Sequence, residues 1–467
     1  MIIPVIEDKI CISSNIQKLL HKKVNVFYQD KYKNIQKMTF IMPSYNELLQ
    51  IKLPFLKKIK MVLIALCLIL LYFTTIFRIA SKNKVNNKNK IVLVFSLTKN
   101  QIFKDASLHK IQNFLTSKRF SMTRKDDIIV ECRKVWRTKK YSNLTVTLDI
   151  PLRIFARSTS LKQQIRLLII FSRKLIVLIK SFNNSQYIYL VFKEYIFDEN
   201  VYLSIKNKNQ VSKIITGPGN LKYQPIIFEM SEFIGERIML WYSANSIPEK
   251  YKSKKAAIIA NGGYEIFLKP MKIDTHWVWT NEHRKYLMKM TDSKILVKGS
   301  MLFYSPPKKP NYNKKYDIVI FDLTPKNNES MYKDTLYNFP VAKKFIEDII
   351  ESVELVSQKI DKDISIYLKH KRAFHETHSR QYINYVGELA KNGQLSRLPL
   401  NIDLYETIAA SKIIICFPFT SSAIIGQELK VPSIYYSSTN ILGKYNITNF
   451  IQDKLELRKF IEVNLGK

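Results

Sequence analysis

Three short polar stretches in the C-terminal half of the chain carry the residue types that bind anions. Pro418-Phe419-Thr420-Ser421-Ser422 places three hydroxyls directly ahead of an apolar helical run. A helix start leaves backbone N–H groups without intrahelical partners, so this arrangement favours an anion such as phosphate. Ordinary capping of the helix calls for the same residues. Lys369-His370-Lys371-Arg372 offers three cations and an imidazole. Cations, hydroxyls and backbone N–H groups together are what a nucleotide diphosphate requires, and His370 can bond a phosphate or a ribose. A solvated basic turn is the plain alternative. The third stretch, Asp322-Leu323-Thr324-Pro325, adds the Thr324 hydroxyl.

Each stretch follows an apolar run. Asp317–Phe321, Ile364–Leu368 and Ile413–Phe417 are short and β-branched, which suits strands buried on both faces of a parallel sheet. Ser433–Tyr436 is a further strand after Val431-Pro432. The helix between the last two, running to about Lys430, completes a βαβ unit. Ligands of α/β sheets bind beyond the carboxyl ends of the strands, so the three stretches are expected on one edge. Val341–Ile360 reads as a long helix, with Phe345, Ile346, Ile349, Ile350, Val353 and Val356 on one face. Asp403 to Glu406 has capping-box spacing, with Asp in the Ser/Thr position. The segment Phe450–Leu465 is read as helical and expected to cross back to the first domain.

Upstream, Ile91–Ser96, Ile128–Cys132, Tyr187–Phe192, Ile214–Thr216, Ile238–Tyr242, Ala257–Ala260, Trp277–Thr280 and Ile295–Val297 read as strands. Ile102–Phe114 and a segment from about Glu282 read as helices. Leu161–Phe182, rich in Leu and Ile among Arg and Lys, fits a sheet-covering helix or an interfacial amphipathic one. Strands alternating with helices imply an α/β fold with mostly parallel sheets. Pro306, Pro307 and Pro310 in a basic stretch mark the domain boundary. The predicted organisation is a basic segment (1–60), an apolar helix (61–80), a first domain (91–299), a second domain (316–445) and a C-terminal helix (446–467).

Met61–Phe77 is uncharged and flanked by Lys57, Lys58, Lys60, Arg78, Lys82 and Lys84. At 1.5 Å per residue it reaches about 25 Å, a little short of the roughly 30 Å hydrocarbon core. Basic side chains at its ends can snorkel to extend the span. Spanning, re-entrant and buried core helices all fit. Membrane association is expected because few core helices are apolar on every face. Both flanks are basic, so charge bias does not set the orientation.

The 467 residues carry 75 Lys+Arg against 38 Asp+Glu, a net charge of +37. That balance suits an anionic membrane surface or phosphorylated substrates. It is spread through the chain, without the stacking aromatics or basic recognition helix of a nucleic-acid binder. The four cysteines are far apart and lack metal spacing. Neither a Walker P-loop nor a strand-linked GxGxxG is present. His375 and His378 flank Glu376 without forming HExxH. Asp361-Lys362-Asp363 reads as a helix-to-strand turn. No metal or cofactor is expected.

Asp403–Ser411, then Pro418-Phe419-Thr420-Ser421, then Pro432–Tyr436 resemble the bacterial polysaccharide-biosynthesis proteins named for their PFTS motif. The basic element after a strand and His276–Thr280 resemble that family too, so the likeness covers roughly residues 91–441. It implies a glycosyltransferase of GT-B architecture, with two Rossmann-like domains facing a cleft. The chain is also similar to bacterial sialyl- and Kdo-transferases, in which Lys-x-His-Pro and Ser-Ser elements hold the CMP part of the donor. That similarity implies donor-binding roles for Lys369, His370, Ser421 and Ser422; Thr324, Lys371, Arg372 and Thr420 are donor-binding candidates because they lie in the same three strand-end stretches. Lys371 stands where those enzymes have proline, and their acidic base motif is absent from the first domain. An inverting transfer needs a carboxylate or histidine to take the acceptor proton. Glu229, Glu232 and Glu265 lie near strand ends, and Glu265 is selected. Glu428 falls near the position where retaining enzymes of this architecture hold the donor ribose.

The expected activity is transfer of a sugar from a nucleotide-activated donor, a CMP-linked one being among the candidates, to a lipid-linked or glycan acceptor in surface polysaccharide biosynthesis. Membrane-associated domains on the cytoplasmic side fit that role. The alternative is a membrane-attached nucleotide- or glycan-binding protein that keeps the fold without catalysis.

Overall fold

The computed structural model describes residues 90–95, 116, 127–131, 139–147, 165–166, 169–170, 172, 202, 211–217, 226–228, 235–241, 251–252, 272–300, 313–327, 335–370, 373–400, 402–439, 441–442 and 449–466. The segments 61–77, 102–114, 187–192 and 257–260, and most of 161–182, lie outside these residues. Among the described residues, no helix is long and apolar enough to cross a membrane. The chain divides into two compact units. One comprises Met1–Lys104, Leu115–Leu240 and Glu265–His276; the other comprises Asp105–Phe114, Trp241–Tyr264 and Trp277–Lys467.

The first sheet has eight strands: β1 (Ile91–Val94), β2 (Asp127–Glu131), β3 (Lys139–Tyr141), β4 (Leu144–Thr147), β5 (Val211–Thr216), β6 (Glu236–Leu240), β7 (Thr275–Val278) and β8 (Lys294–Val297). Their order is β3-β4-β2-β1-β5-β6-β7-β8. The pairs joining β4, β2, β1, β5 and β6 are parallel, while β3 runs antiparallel to β4. The β3–β4 hairpin was not expected from the sequence. Its turn holds Ser142 at φ 51°, and its strands are too short to show a period. Helix α1 (Asn281–Leu287) starts at Thr280, whose hydroxyl accepts the His283 N–H.

The second sheet lies wholly within the second unit. It holds β9 (Tyr316–Phe321), β10 (Ile366–Lys369), β11 (Ser396–Arg397), β12 (Ser411–Cys416), β13 (Ser433–Tyr436) and β14 (Phe450–Ile451). The order is β11-β10-β9-β12-β13-β14, and every pair is parallel. Numbered from β9, this is 3-2-1-4-5-6, the doubly wound order whose switch point lies between the first and fourth strands. The connecting helices are α2 (Phe339–Ile360), α3 (Arg380–Lys391), α4 (Leu404–Ala409) and α5 (Ser421–Glu428), with α6 (Lys454–Leu465) after β14. Asp403 caps α4 by accepting the Glu406 N–H at 3.0 Å. Asp361 ends α2 in the left-handed region.

On one face of this sheet, Ile318, Ile320, Ile413 and Ile415 meet Phe345, Ile346, Ile349 and Val353 of α2 in a single buried cluster. Leu457, Ile461 and Leu465 of α6 join the same cluster. The C-terminal segment therefore stays with this unit. Polar contacts fix it there. Asp348 of α2, nearly buried, pairs with Lys344 at 3.1 Å and Lys454 at 3.3 Å, and accepts the Tyr436 hydroxyl at 2.9 Å. Glu351 holds Lys454 and Arg458.

On the opposite face, α5 comes very close to β12 and β13. A Cβ on Gly426 would sit 2.6 Å from Ile414 Cδ1 and 2.8 Å from Ser433 Cβ. Ser433 Oγ donates to the Ala423 carbonyl at 3.1 Å, tying strand to helix. Gly426→Ala is expected to lower unfolding free energy by about 1–3 kcal/mol through overpacking. Urea denaturation of the variant beside wild type measures this.

Candidate functional site

The three polar stretches leave three adjacent strands at the same edge of the second sheet. Register aligns Lys369 of β10 and Cys416 of β12 with Phe321 of β9. Asp322, His370 and Phe417 are the next residues out. The Phe417 N–H still donates to the Phe321 carbonyl at 2.8 Å. The β9 and β10 loops are stitched together by Ser379 N–H to the Pro325 carbonyl at 3.0 Å and Asn327 N–H to the Thr377 carbonyl at 3.0 Å. Neighbouring strands are about 4.8 Å apart. The ends of β10 and β12 thus stand roughly 10 Å apart, across the switch point.

The loop after β12 is a tight turn. Thr420 N–H donates to the Phe417 carbonyl at 3.2 Å, and the Thr420 hydroxyl donates to the same carbonyl at 3.1 Å. Pro418 and Phe419 are the central residues, and Phe419 has φ 63°. Pro followed by a positive φ is the pattern of a type II turn, in which the third residue is ordinarily Gly or Asn. Phe419 is held there by packing, stacked on Phe450 at 5.9 Å and tilted against Tyr435 at 5.8 Å. Tyr435 also donates its hydroxyl to the Thr420 carbonyl at 2.9 Å.

Thr420 stands at the N-cap of α5, but its side chain makes no cap bond to the helix. Its hydroxyl is turned back into the turn instead, so the first N–H groups of α5 are not capped by it. Ser421 is half-buried; Thr420 and Ser422 are buried.

At the other side of the switch point, His370 Nδ1 lies 3.0 Å from Asp322 Oδ2. Both side chains are 2% exposed. The Tyr382 hydroxyl, from α3, donates to the same Oδ2. Burial, then the Asp322 charge, push the Tyr382 phenol well above its ordinary range, so it stays a donor. Asp322 as an acceptor fixes the imidazole proton on Nδ1. His370 Nε2 and Asp322 Oδ1 are buried without a hydrogen-bond partner. Phe374 packs edge-on against the His370 ring at 4.7 Å.

The expected site residues divide accordingly. Thr324, Lys369, His370, Thr420, Ser421 and Ser422 all fall at this edge. The Lys369 ammonium, however, donates to the His370 carbonyl at 3.1 Å and the Leu400 carbonyl at 3.0 Å. Its visible work is to fold the loop. Lys371, Arg372 and Glu265 lie outside the described residues, as do Glu229 and Glu232. Glu428 accepts the Ser300 N–H at 2.5 Å and the Ser300 hydroxyl at 2.6 Å, which anchors the backbone beyond β8. The His378 Nδ1 accepts the His375 N–H at 3.0 Å. No cluster of three or more metal-ligating side chains occurs among the described residues. Sequence reasoning passed over Tyr382 and gave Asp322 no partner. The usable signal was an acidic residue directly after an apolar strand, where a solvated turn would otherwise begin.

A family model described as "Polysaccharide biosynthesis PFTS motif protein" matches residues 175–461, well over half of the chain. The chain belongs to that family. Pro418 to Ser421 spell the motif in the family's description, and within it the Thr420 carbonyl accepts the Tyr435 hydroxyl. No curated protein matches the chain. Similar solved structures include TarM, at 13% identity and TM-score 0.34, covering 60% of this chain and 53% of that one. A trehalose-6-phosphate structure from E. coli, bound with UDP-2-fluoro glucose, is 11% identical with TM-score 0.42, covering 80% and 91%. A UDP-forming trehalose-phosphate synthase from Burkholderia xenovorans is 9% identical with TM-score 0.41, covering 81% and 91%. The chain spans about half the length of TarM.

Proposed function

We propose that this PFTS-family protein is a glycosyltransferase of GT-B type that moves a sugar from a nucleotide-activated donor to a lipid-linked or glycan acceptor in surface polysaccharide synthesis. The observation that carries the reading is the convergence of the β9, β10 and β12 loops at the switch point of a 3-2-1-4-5-6 parallel sheet. Crevices of that kind bind nucleotides. Family membership supplies the biosynthetic context. The N–H groups of α5, with Ser421 and Ser422, would take the donor phosphates, and Lys371 and Arg372 would add charge. A CMP-linked donor fits this set, as do other nucleotide donors. In the transfer, the bond from the anomeric carbon to the phosphate oxygen breaks and the acceptor oxygen takes its place. The acceptor proton passes to a carboxylate or histidine, with Glu265 the candidate base. Backbone and basic groups stabilise the leaving phosphate, so the chemistry needs no resident metal. The apolar segment 61–77 and the positive charge suit association with the cytoplasmic face of a membrane that carries the acceptor.

The test is a thermal-shift screen of CMP, UDP, GDP and TDP. At about a hundred times Kd, mass action adds about 2.7 kcal/mol, a Tm rise of several degrees for a domain of this size. The Ser421→Ala/His370→Ala double variant is expected to lose that rise. No shift with any nucleotide would refute the reading, and an unchanged shift in the variant would move the site elsewhere. Turnover of labelled donor then separates an enzyme from a binding protein.

A further inference from the structure

Two buried polar atoms remain unexplained by the phosphate site: His370 Nε2 and Asp322 Oδ1. Buried polar atoms are nearly always bonded, and exceptions mark function or a missing partner. Their chemistry restricts that partner. Asp322 Oδ1 belongs to a carboxylate whose other oxygen already accepts from Tyr382 and His370. As an acceptor it needs a hydrogen-bond donor. An ionised phosphate has none to give, and its charge would oppose the carboxylate. His370 Nε2 accepts when the ring is neutral and donates when it is charged. A hydroxyl satisfies Nε2 in both states, because it donates and accepts.

We propose that the Asp322–His370 pair is a subsite for the vicinal hydroxyls of the nucleotide's ribose. One hydroxyl donates to Asp322 Oδ1 and its neighbour bonds His370 Nε2. Tyr382 is a positioning residue that holds the carboxylate. Asp322 follows the first strand and His370 the second in the 3-2-1-4-5-6 order, so both lie on the β9–β10 side of the switch point. The phosphates would lie across the switch point at α5, roughly 10 Å away by strand spacing. The inference rests on the nucleotide-binding reading above and assigns the two sides of the crevice to different parts of one ligand.

Calorimetric titration of the full chain tests it, with CMP, UDP and GDP each in ribo, 2′-deoxy and 3′-deoxy form, and with inorganic pyrophosphate. Loss of one hydroxyl is expected to weaken binding by about 10- to 100-fold, the range for a hydrogen bond to a charged group. Asp322→Asn keeps the shape and an acceptor for Tyr382 and His370, but turns the free oxygen into an N–H donor. It is expected to lower ribonucleotide affinity to the level of the deoxy form that lacks the Asp322-bonded hydroxyl, to leave that form within about twofold, and to weaken the other deoxy form further. If Asp322→Asn fails to fold, the deoxy series on wild type still decides. Equal affinity for ribo and deoxy forms would overturn the subsite while leaving nucleotide binding intact. Tight pyrophosphate binding that His370→Ala weakens would also overturn it, placing phosphate at the pair. Absence of binding by every nucleotide would remove the broader reading and this one with it.

Discussion

Phe419→Ala is expected to destabilise the second unit by about 3–5 kcal/mol, and Phe419→Gly by about 1 kcal/mol less. The first figure is the usual cost of deleting a buried phenyl ring. The ring is buried, packed on Phe450 and Tyr435. The second figure reverses the ordinary ranking, in which Gly is the worse substitution because it adds unfolded-state freedom. Here the backbone at φ 63° is strained for any residue with a Cβ. Ala keeps that strain and Gly releases it. Because the packing loss exceeds the strain relief, neither variant gains on wild type. Equilibrium urea denaturation of the three proteins gives the comparison. An Ala variant at least as stable as the Gly variant would show that the left-handed conformation of the PFTS turn carries no cost.

The second large effect is a loss of stability in acid that runs through His276. This residue lies in β7 with its side chain 1% exposed, and burial pulls its pKa from 6.5 down to about 4. Between those values the unfolded chain binds a proton that the folded chain refuses. The stabilisation is therefore complete above pH 6.5 and is lost as the pH falls toward 4. The span is worth about 3 kcal/mol. Other groups also shape the acid limb, so the informative quantity is a difference. Denaturation at about pH 7.5 and about pH 4.5 is expected to show a steeper fall for wild type than for His276→Gln. Parallel profiles would exclude the histidine as the source.

Much of the second sheet was legible because its strands announce themselves. Ile413 to Cys416 is buried on both faces, as an unbroken β-branched run demands. The face of α2 follows from the recurrence of Phe345, Ile349 and Val353. Shorter elements carry no such pattern. The two-residue strands β11 and β14 exist through pairing with β10 and β13, which nothing local foretells. Helix α3 buries three residues, Tyr382, Val386 and Leu389, among many polar ones, and its segment was not recognised as a helix.

The candidate site was readable in position more than in detail. Strand order and register brought the three loops to one edge, which follows from apolar runs ending in polar residues. Side-chain partnerships did not follow. Asp322 and His370 are 48 residues apart, and their bond depends on β9 and β10 lying side by side. Lys369 looked like a cation for phosphate because its charge is visible in the sequence. The two carbonyls it serves belong to loop geometry that the sequence does not display. Thr420 is a comparable case, since its hydroxyl serves the preceding turn in place of the helix it introduces.

The edge strand β14 and helix α6 have a consequence for how this unit is made. Leu457, Ile461 and Leu465 close the cluster that β9 begins more than a hundred residues earlier. A nascent chain that has emerged only as far as β13 would hold the crevice-forming loops above an unsealed floor. With α2 alone on this face, the part of the cluster that α6 completes would stay open to water until residues 454–465 cleared the ribosome. The candidate site should therefore be among the last features of the unit to become rigid during synthesis, although most of its residues are translated well before the helix that steadies them.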